Sequence, residues 1–193
     1  MAAAFRVVAT AGVEAATTRR ICAEAQMSLA SFHYAFDSRD ALLEALVISG
    51  LSSEDTAVHA VLAASPDTAH DSPADIGALL RGGLHGYVDS VVADPEREQA
   101  MVALAQYARR TPGLETLAAD TYTRYYALAA RALTTAADAA GVRWRTPPAD
   151  LAPLVVAATD GLTLAYLNTG DVDVARRIAD ACVAMLLTHV EQP

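Results

Sequence analysis

Apolar residues recur along this chain at three- and four-residue intervals, and no stretch shows the strict alternation of a strand. Met1 to Ala11 reads as a first helix, with Phe5, Val8 and Ala9 on a shared face and Gly12 as its stop. Thr17 or Thr18 offers a hydroxyl to cap a second helix, where Ile21, Cys22 and Ala25 form a narrow apolar stripe. Gln26-Met27 breaks that helix. Ser28 is a further cap and opens Leu29 to Ala35, with Met27, Phe32 and Phe36 as anchors seating this third helix on the second. Two short helices joined by a tight break form the helix-turn-helix pattern, whose second helix enters the DNA major groove.

Asp37-Ser38 caps a longer helix from about Arg39 to Ala64, striped by Leu42, Leu43, Leu46, Val47, Leu51, Val58, Val61 and Leu62 and interrupted at Gly50–Ser53. Its length suits a connection between a small head and a separate body. A polar loop spans 65–72, and Ser72-Pro73-Ala74-Asp75 opens a helix to about Ala93 with Ile76, Leu80, Leu84, Tyr87, Val88 and Val91 inward. Gly82, Gly83 and Gly86 weaken it and suggest close helix approach or room for a ligand. Asp94-Pro95-Glu96 repeats the cap-proline-acid opening of a helix to Arg110, broken at Thr111-Pro112-Gly113. Further helices are expected at Leu114–Ala140, Ala149–Asn168 and Val172–Val190, with Trp144 in the loop ahead of the second of these. The fold class is all-α, with about nine helices.

Composition adds that alanine supplies much of a 53% hydrophobic content, which favours closely packed helices. Cys22 and Cys182 are the two cysteines, without metal-ligand neighbours, so neither a disulfide framework nor a metal site is expected; Cys22 reads as packing. No signal peptide or bilayer-spanning apolar run is evident, and a cytoplasmic protein is expected. Net charge is −9, yet residues 1–40 balance Arg6, Arg19, Arg20 and Arg39 against Glu14, Glu24, Asp37 and Asp40. Long-range steering toward DNA would be weak, leaving phosphate contacts local. The five histidines, His33, His59, His70, His85 and His189, lack ligand spacing, and no glycine-rich phosphate loop or HExxH is present. Neither an enzyme nor a resident cofactor is expected.

The stretch Thr17–Phe36 resembles the DNA-binding domain of the TetR family of bacterial repressors. The likeness runs from Gly12 through Thr17-Thr18-Arg19, Ile21-Cys22-Ala23, Ala25, Ser28 and Phe32-His33-Tyr34-Ala35-Phe36 to Ser38–Leu43, about the first fifty residues. It implies a helix-turn-helix domain at 1–45 and a ligand-binding and dimerisation domain at 46–193. By the resemblance, Leu29, Ala30, Ser31, His33 and Tyr34 meet DNA from the recognition helix that Ser28 caps, and Thr17, Thr18, Arg19 and Arg39 clamp the backbone. Two positions depart from the family's pattern. Gln26 stands where glycine is usual and must adopt a less comfortable backbone. Leu29 replaces an often polar residue, which shifts specificity toward methyl contacts and DNA shape.

The same resemblance places a ligand cavity among the central helices, with Tyr87, Met101, Tyr122, Tyr125 and Tyr166 as candidates for its lining. Asp160 interrupts an apolar helix; if buried, it requires a partner or a cationic ligand. Apolar stripes at Leu154, Ala158, Leu162, Ala165 and Tyr166, and at Val174, Ile178, Cys182, Met185 and Leu186, are implied to build a dimer interface from the last two helices. The implied function is a homodimeric repressor of a palindromic DNA operator, released by a small-molecule effector, without a membrane partner. A second reading is an all-α small-molecule-binding or interaction protein, its DNA binding impaired because the chain starts inside the first helix.

Overall fold

The computed structural model of the chain describes residues 1–49, 75–112 and 114–191. The expected run of the fourth helix to Ala64, its Gly50–Ser53 interruption, the 65–72 loop and the Ser72-Pro73 opening lie outside the described residues. Among the described residues are nine helices: α1 (Ala2–Ala15), α2 (Thr18–Glu24), α3 (Leu29–Ala35), α4 (39–49), α5 (Ile76–Ala93), α6 (Pro95–Arg110), α7 (Glu115–Ala140), α8 (Pro148–Thr169) and α9 (Val172–Leu187). The all-α expectation holds. So do the caps at Thr17, Ser28 and Asp94, each of which accepts a backbone N–H from its own first turn, and Asp171 caps α9 in the same way. Ser38 Oγ likewise accepts from Ala41 N at 3.0 Å. At α5 the cap is Asp75, whose carboxylate accepts from Gly77 N and Ala78 N. The first helix differs in one respect. Gly12 does break it, at φ 80 and ψ 164, a region open essentially to glycine alone, but a further helical turn continues to Ala15.

The chain divides into two compact units. The first comprises Met1–Ser53 and Asp94–Tyr122. Its core joins Val7 and Val8 of α1, Ile21 and Cys22 of α2, Phe32 of α3 and Leu42, Leu43 and Leu46 of α4 to Ala100, Met101 and Leu104 of α6. α6 packs along α1 and adds apolar area to the core of the short N-terminal helices. Glu98 on the same helix is buried beside Arg97, which donates to its carboxylate. Desolvation pushes that carboxyl above its usual range, and the charge of Arg97 opposes the shift.

The second unit comprises Glu54–Ala93 and Thr123–Pro193. Leu80, Leu84 and Val88 of α5 meet Leu151 and Leu162 of α8 and Ala175, Ala179, Cys182, Val183 and Leu186 of α9, with Leu133 and Ala136 of α7. The indole N–H of Trp144 donates to Leu133 O at 3.0 Å, and Arg145 N to His189 O at 2.7 Å. These bonds tie the α7–α8 connection to the segment after α9. Arg81 and His85 on α5 both meet Asp180 of α9 at 3.1 Å; the hydrogen bond from His85 leads in holding that carboxyl below its usual range.

Two sequence expectations change here. Leu162, Cys182 and Leu186, assigned to a stripe shared between subunits, are buried inside one subunit, where α8, α9 and α5 close on one another. Leu154 of that stripe does face outward, in a row with Ala157, Gly161 and Leu164 on α8, and on α9 the outward apolar row is Ala181, Ala184 and Leu187. Gly82 and Gly83 mark no close approach among the described residues, since an added Cβ at either would meet nothing within 4 Å.

Candidate nucleic-acid interface

The geometry begins at the end of α2. Gln26 N donates to Ala23 O and Met27 N to Cys22 O, the paired bonds of a Schellman stop, and Gln26 takes the left-handed position at φ 54. The uncomfortable backbone expected of Gln26 is present. The turn that a glycine would make freely is therefore made by a residue with a Cβ, at a cost of about 1 kcal/mol. Gln26→Gly is expected to raise unfolding stability by about that amount, read as a higher chemical-denaturation midpoint with unchanged slope. An unchanged midpoint would show that the turn carries no such strain.

Ser28 then starts α3. Its Oγ accepts from Ser31 N at 3.1 Å and lies 2.9 Å from Ser31 Oγ. Phe32 alone among α3 residues is buried, at 6% exposure, edge-on to His33 and tilted against Phe36. With Phe32 as its root, the helix presents its other faces outward. Tyr34 is 96% exposed and Leu29 40%, and Ala30 and His33 are exposed as well. Ser31 is half-buried, and its hydroxyl lies within the cap that opens the helix. On α2, Thr17 Oγ1 accepts from Arg20 N at 3.3 Å; Thr18 is half-buried, and Arg19 and Arg20 are exposed.

Two residues depart from their expected roles. Met27, expected to anchor α3 against α2, is 55% exposed, so Phe32 and Phe36 do that work without it. Arg39, expected to clamp a phosphate, is turned inward with its side chain 25% exposed. Its Nε donates to Ala16 O at 2.9 Å, one terminal nitrogen to Tyr107 Oη at 3.0 Å and the other to Val13 O. These carbonyls sit at the end of α1, where helical donors run out; Val13 O also accepts from Ala16 N at 3.0 Å, and the planar fork of Arg39 meets both carbonyls.

The residues expected to line a ligand cavity are not gathered into one unit. Met101 belongs to the core of the first unit, in one cluster with residues of α1 and α4. Tyr122 is also in the first unit, whereas Tyr87, Tyr125 and Tyr166 are in the second. There Tyr87 and Tyr166 pack against the core, and Tyr87 Oη lies 3.0 Å from Oγ1 of the buried Thr163. Sequence reasoning misses Thr163; one of three threonines in a largely apolar helix gives no sign of a partner on α5. Asp160 is half-buried.

Comparison with known proteins agrees with this geometry. Residues 1–46 match the family model for bacterial regulatory proteins of the tetR family. Residues 77–188 match the model for the C-terminal part of BetI-type transcriptional repressors. The chain is 28% identical over 123 residues to the nicotine-responsive transcriptional repressor HdnoR of Paenarthrobacter nicotinovorans. That match spans 64% of this chain and 59% of the length of the relative. Among solved structures, a transcriptional regulator from Rhodococcus sp. Rha1 superposes with a TM-score of 0.75 at 19% identity, over 100% of this chain and 96% of the other. The fatty acid degradation regulator FadR of Bacillus halodurans gives 0.75 at 11% identity, over 94% and 95%. Those likenesses are of fold. With the tetR-family model seated on α1–α4 and the repressor model running from α5 to the end of α9, the chain belongs to the TetR family of bacterial regulatory proteins.

Proposed function

We propose that this chain is a ligand-responsive DNA-binding transcriptional regulator, a repressor that binds a palindromic operator as a homodimer and is released by a small-molecule effector. One observation carries the reading: α3 is rooted by Phe32 alone and turns Leu29, Ala30, His33 and Tyr34 outward, within the segment that matches the regulator family. Thr17, Arg19, His33 and Tyr34 supply the phosphate contacts, and Thr18 and Ser28 fix the helix starts between them. Arg39 acts by positioning α1 and α4. Dimerisation uses the outward rows of α8 and α9. α8 is apolar along most of its length yet leaves Leu154 and Leu164 exposed, a face that calls for a protein partner. Asp150 and Asp160 within that helix argue against lipid. Effector binding is assigned to the second unit beside Tyr87, Tyr125, Thr163 and Tyr166, and release requires tighter effector binding to the DNA-incompetent arrangement.

Gel shifts over the DNA upstream of the gene, paired with sedimentation, test this. Tyr34→Ala is expected to weaken operator binding at least about tenfold for each subunit, and so about a hundredfold for the dimer, through one lost charge-assisted hydrogen bond per subunit, while the dimer persists. Leu164→Arg is expected to yield monomers that bind only at high concentration. Wild-type affinity in both variants would remove α3 and α8 from their proposed roles.

A further inference from the structure

The outward side of the α2–α3 turn is unusual in what it lacks. From Met27 to Ala35 the sequence MSLASFHYA contains no amide, guanidinium or carboxylate side chain. Bidentate pairing to guanine or adenine, which needs arginine, lysine, asparagine or glutamine, is thus unavailable along this helix. Ser31 could bond a base edge singly, but its hydroxyl is within 2.9 Å of Ser28 Oγ in the cap. His33 and Tyr34 lie further along the helix, whose N-terminal residues are those that reach base edges in this motif. What that leading end offers instead is apolar: Met27 and Leu29, both exposed, and the methyl of Ala30. Exposed thioether and isobutyl groups are matched in the major groove by one partner, the 5-methyl of thymine. The flank is suited to the polyanion, since α2 packs on α3 and carries the exposed Arg19 and Arg20.

We infer that the protein reads its half-site through thymine 5-methyl groups, with Met27, Leu29 and Ala30 as the specificity-determining contacts. This rests on the DNA-binding reading above and names the chemistry that the same surface recognises. The preferred half-site carries consecutive T·A or A·T pairs under the start of α3. Met27 enters this set because the structure leaves it outside the core, and a flexible thioether adapts to a methyl-lined floor.

The test uses the full-length protein and duplexes selected by it from a random pool. Each selected duplex is remade with deoxyuridine for thymidine, which removes the methyl and keeps every base-pair hydrogen bond. Affinity is expected to fall roughly fourfold for each methyl taken out of water, and so at least about tenfold over a site that buries two or more. In Leu29→Ala and Met27→Ala the thymidine-to-deoxyuridine ratio is expected to shrink toward one. Both side chains are exposed, so folding is not at issue.

Equal binding of the two duplexes by the wild-type protein would overturn the inference and leave the regulator reading standing. A ratio that persists unchanged in both variants would assign the effect to duplex shape and overturn it too. Variants that alter sedimentation of the DNA-free protein but not DNA affinity would mark this tip as a protein contact, also against the proposal. Selection of no duplex at all would overturn both readings.

Discussion

Phe32→Ala is expected to lower stability by about 3–5 kcal/mol and to abolish operator binding together with it. The side chain is the one buried residue of α3, held among Val13, Ile21, Cys22 and the leucines of α4 in the first unit. Without it a seven-residue helix has no apolar root, and isolated helices of that length do not persist in water. The loss should appear as a drop in Tm on the order of 10 °C. Tyr34→Ala provides the control: a side chain 96% exposed has almost no packing to lose, so its Tm should stay at the wild-type value while DNA affinity falls. Comparable Tm values for the two variants would refute the claim that Phe32 carries the helix.

Arg39→Ala should destabilise the protein by about 2–3 kcal/mol, because three donors leave partly buried acceptors behind. A phosphate clamp predicts something else: weaker and less salt-dependent DNA binding at unchanged stability. Thermal unfolding of the DNA-free protein separates the two roles. Arg39→Lys sharpens the comparison. Lysine keeps the charge that a phosphate contact needs but cannot reach Val13 O, Ala16 O and Tyr107 Oη together from one planar group. It should therefore unfold at nearly the temperature of the alanine variant. A lysine variant as stable as wild type would mean that charge alone matters at this position.

The parts legible in the sequence are those whose hydrogen-bond partners lie within a few residues. Ser28 and Asp94 can be read as caps because each bonds an N–H three residues ahead. Gln26 can be read as a strained turn because the family resemblance puts glycine at its position, and the Schellman bonds around it are local ones. The site is legible to the same extent: α3 starts and ends at the expected residues, and its outward members are clear once Phe32 is recognised as the root.

The misplaced residues share one cause. Met27 is expected inside because it is apolar, yet inside and outside are settled by which neighbours fill the space first, and Phe32 and Phe36 fill it. In the same way α6 lies along α1 and draws Met101 into the core of the first unit. On α8 and α9 small and apolar residues occur on more than one face, so periodicity alone does not say which row faces inward. The arrival of α5 decides it, by covering Leu162, Cys182 and Leu186 and leaving Leu154 and Leu164 outside.

By itself the sequence determined the helical class, the starts of most helices, the α2–α3 turn and the chemistry available on α3, since all of these depend on local bonding and side-chain inventory. Only the tertiary structure decided the partners of Arg39, which include a tyrosine 68 residues away, and the pairing of Tyr87 with Thr163 across 76 residues. A guanidinium or a hydroxyl has the same donors wherever it lies, and which acceptor it meets is set by packing of helices distant along the chain.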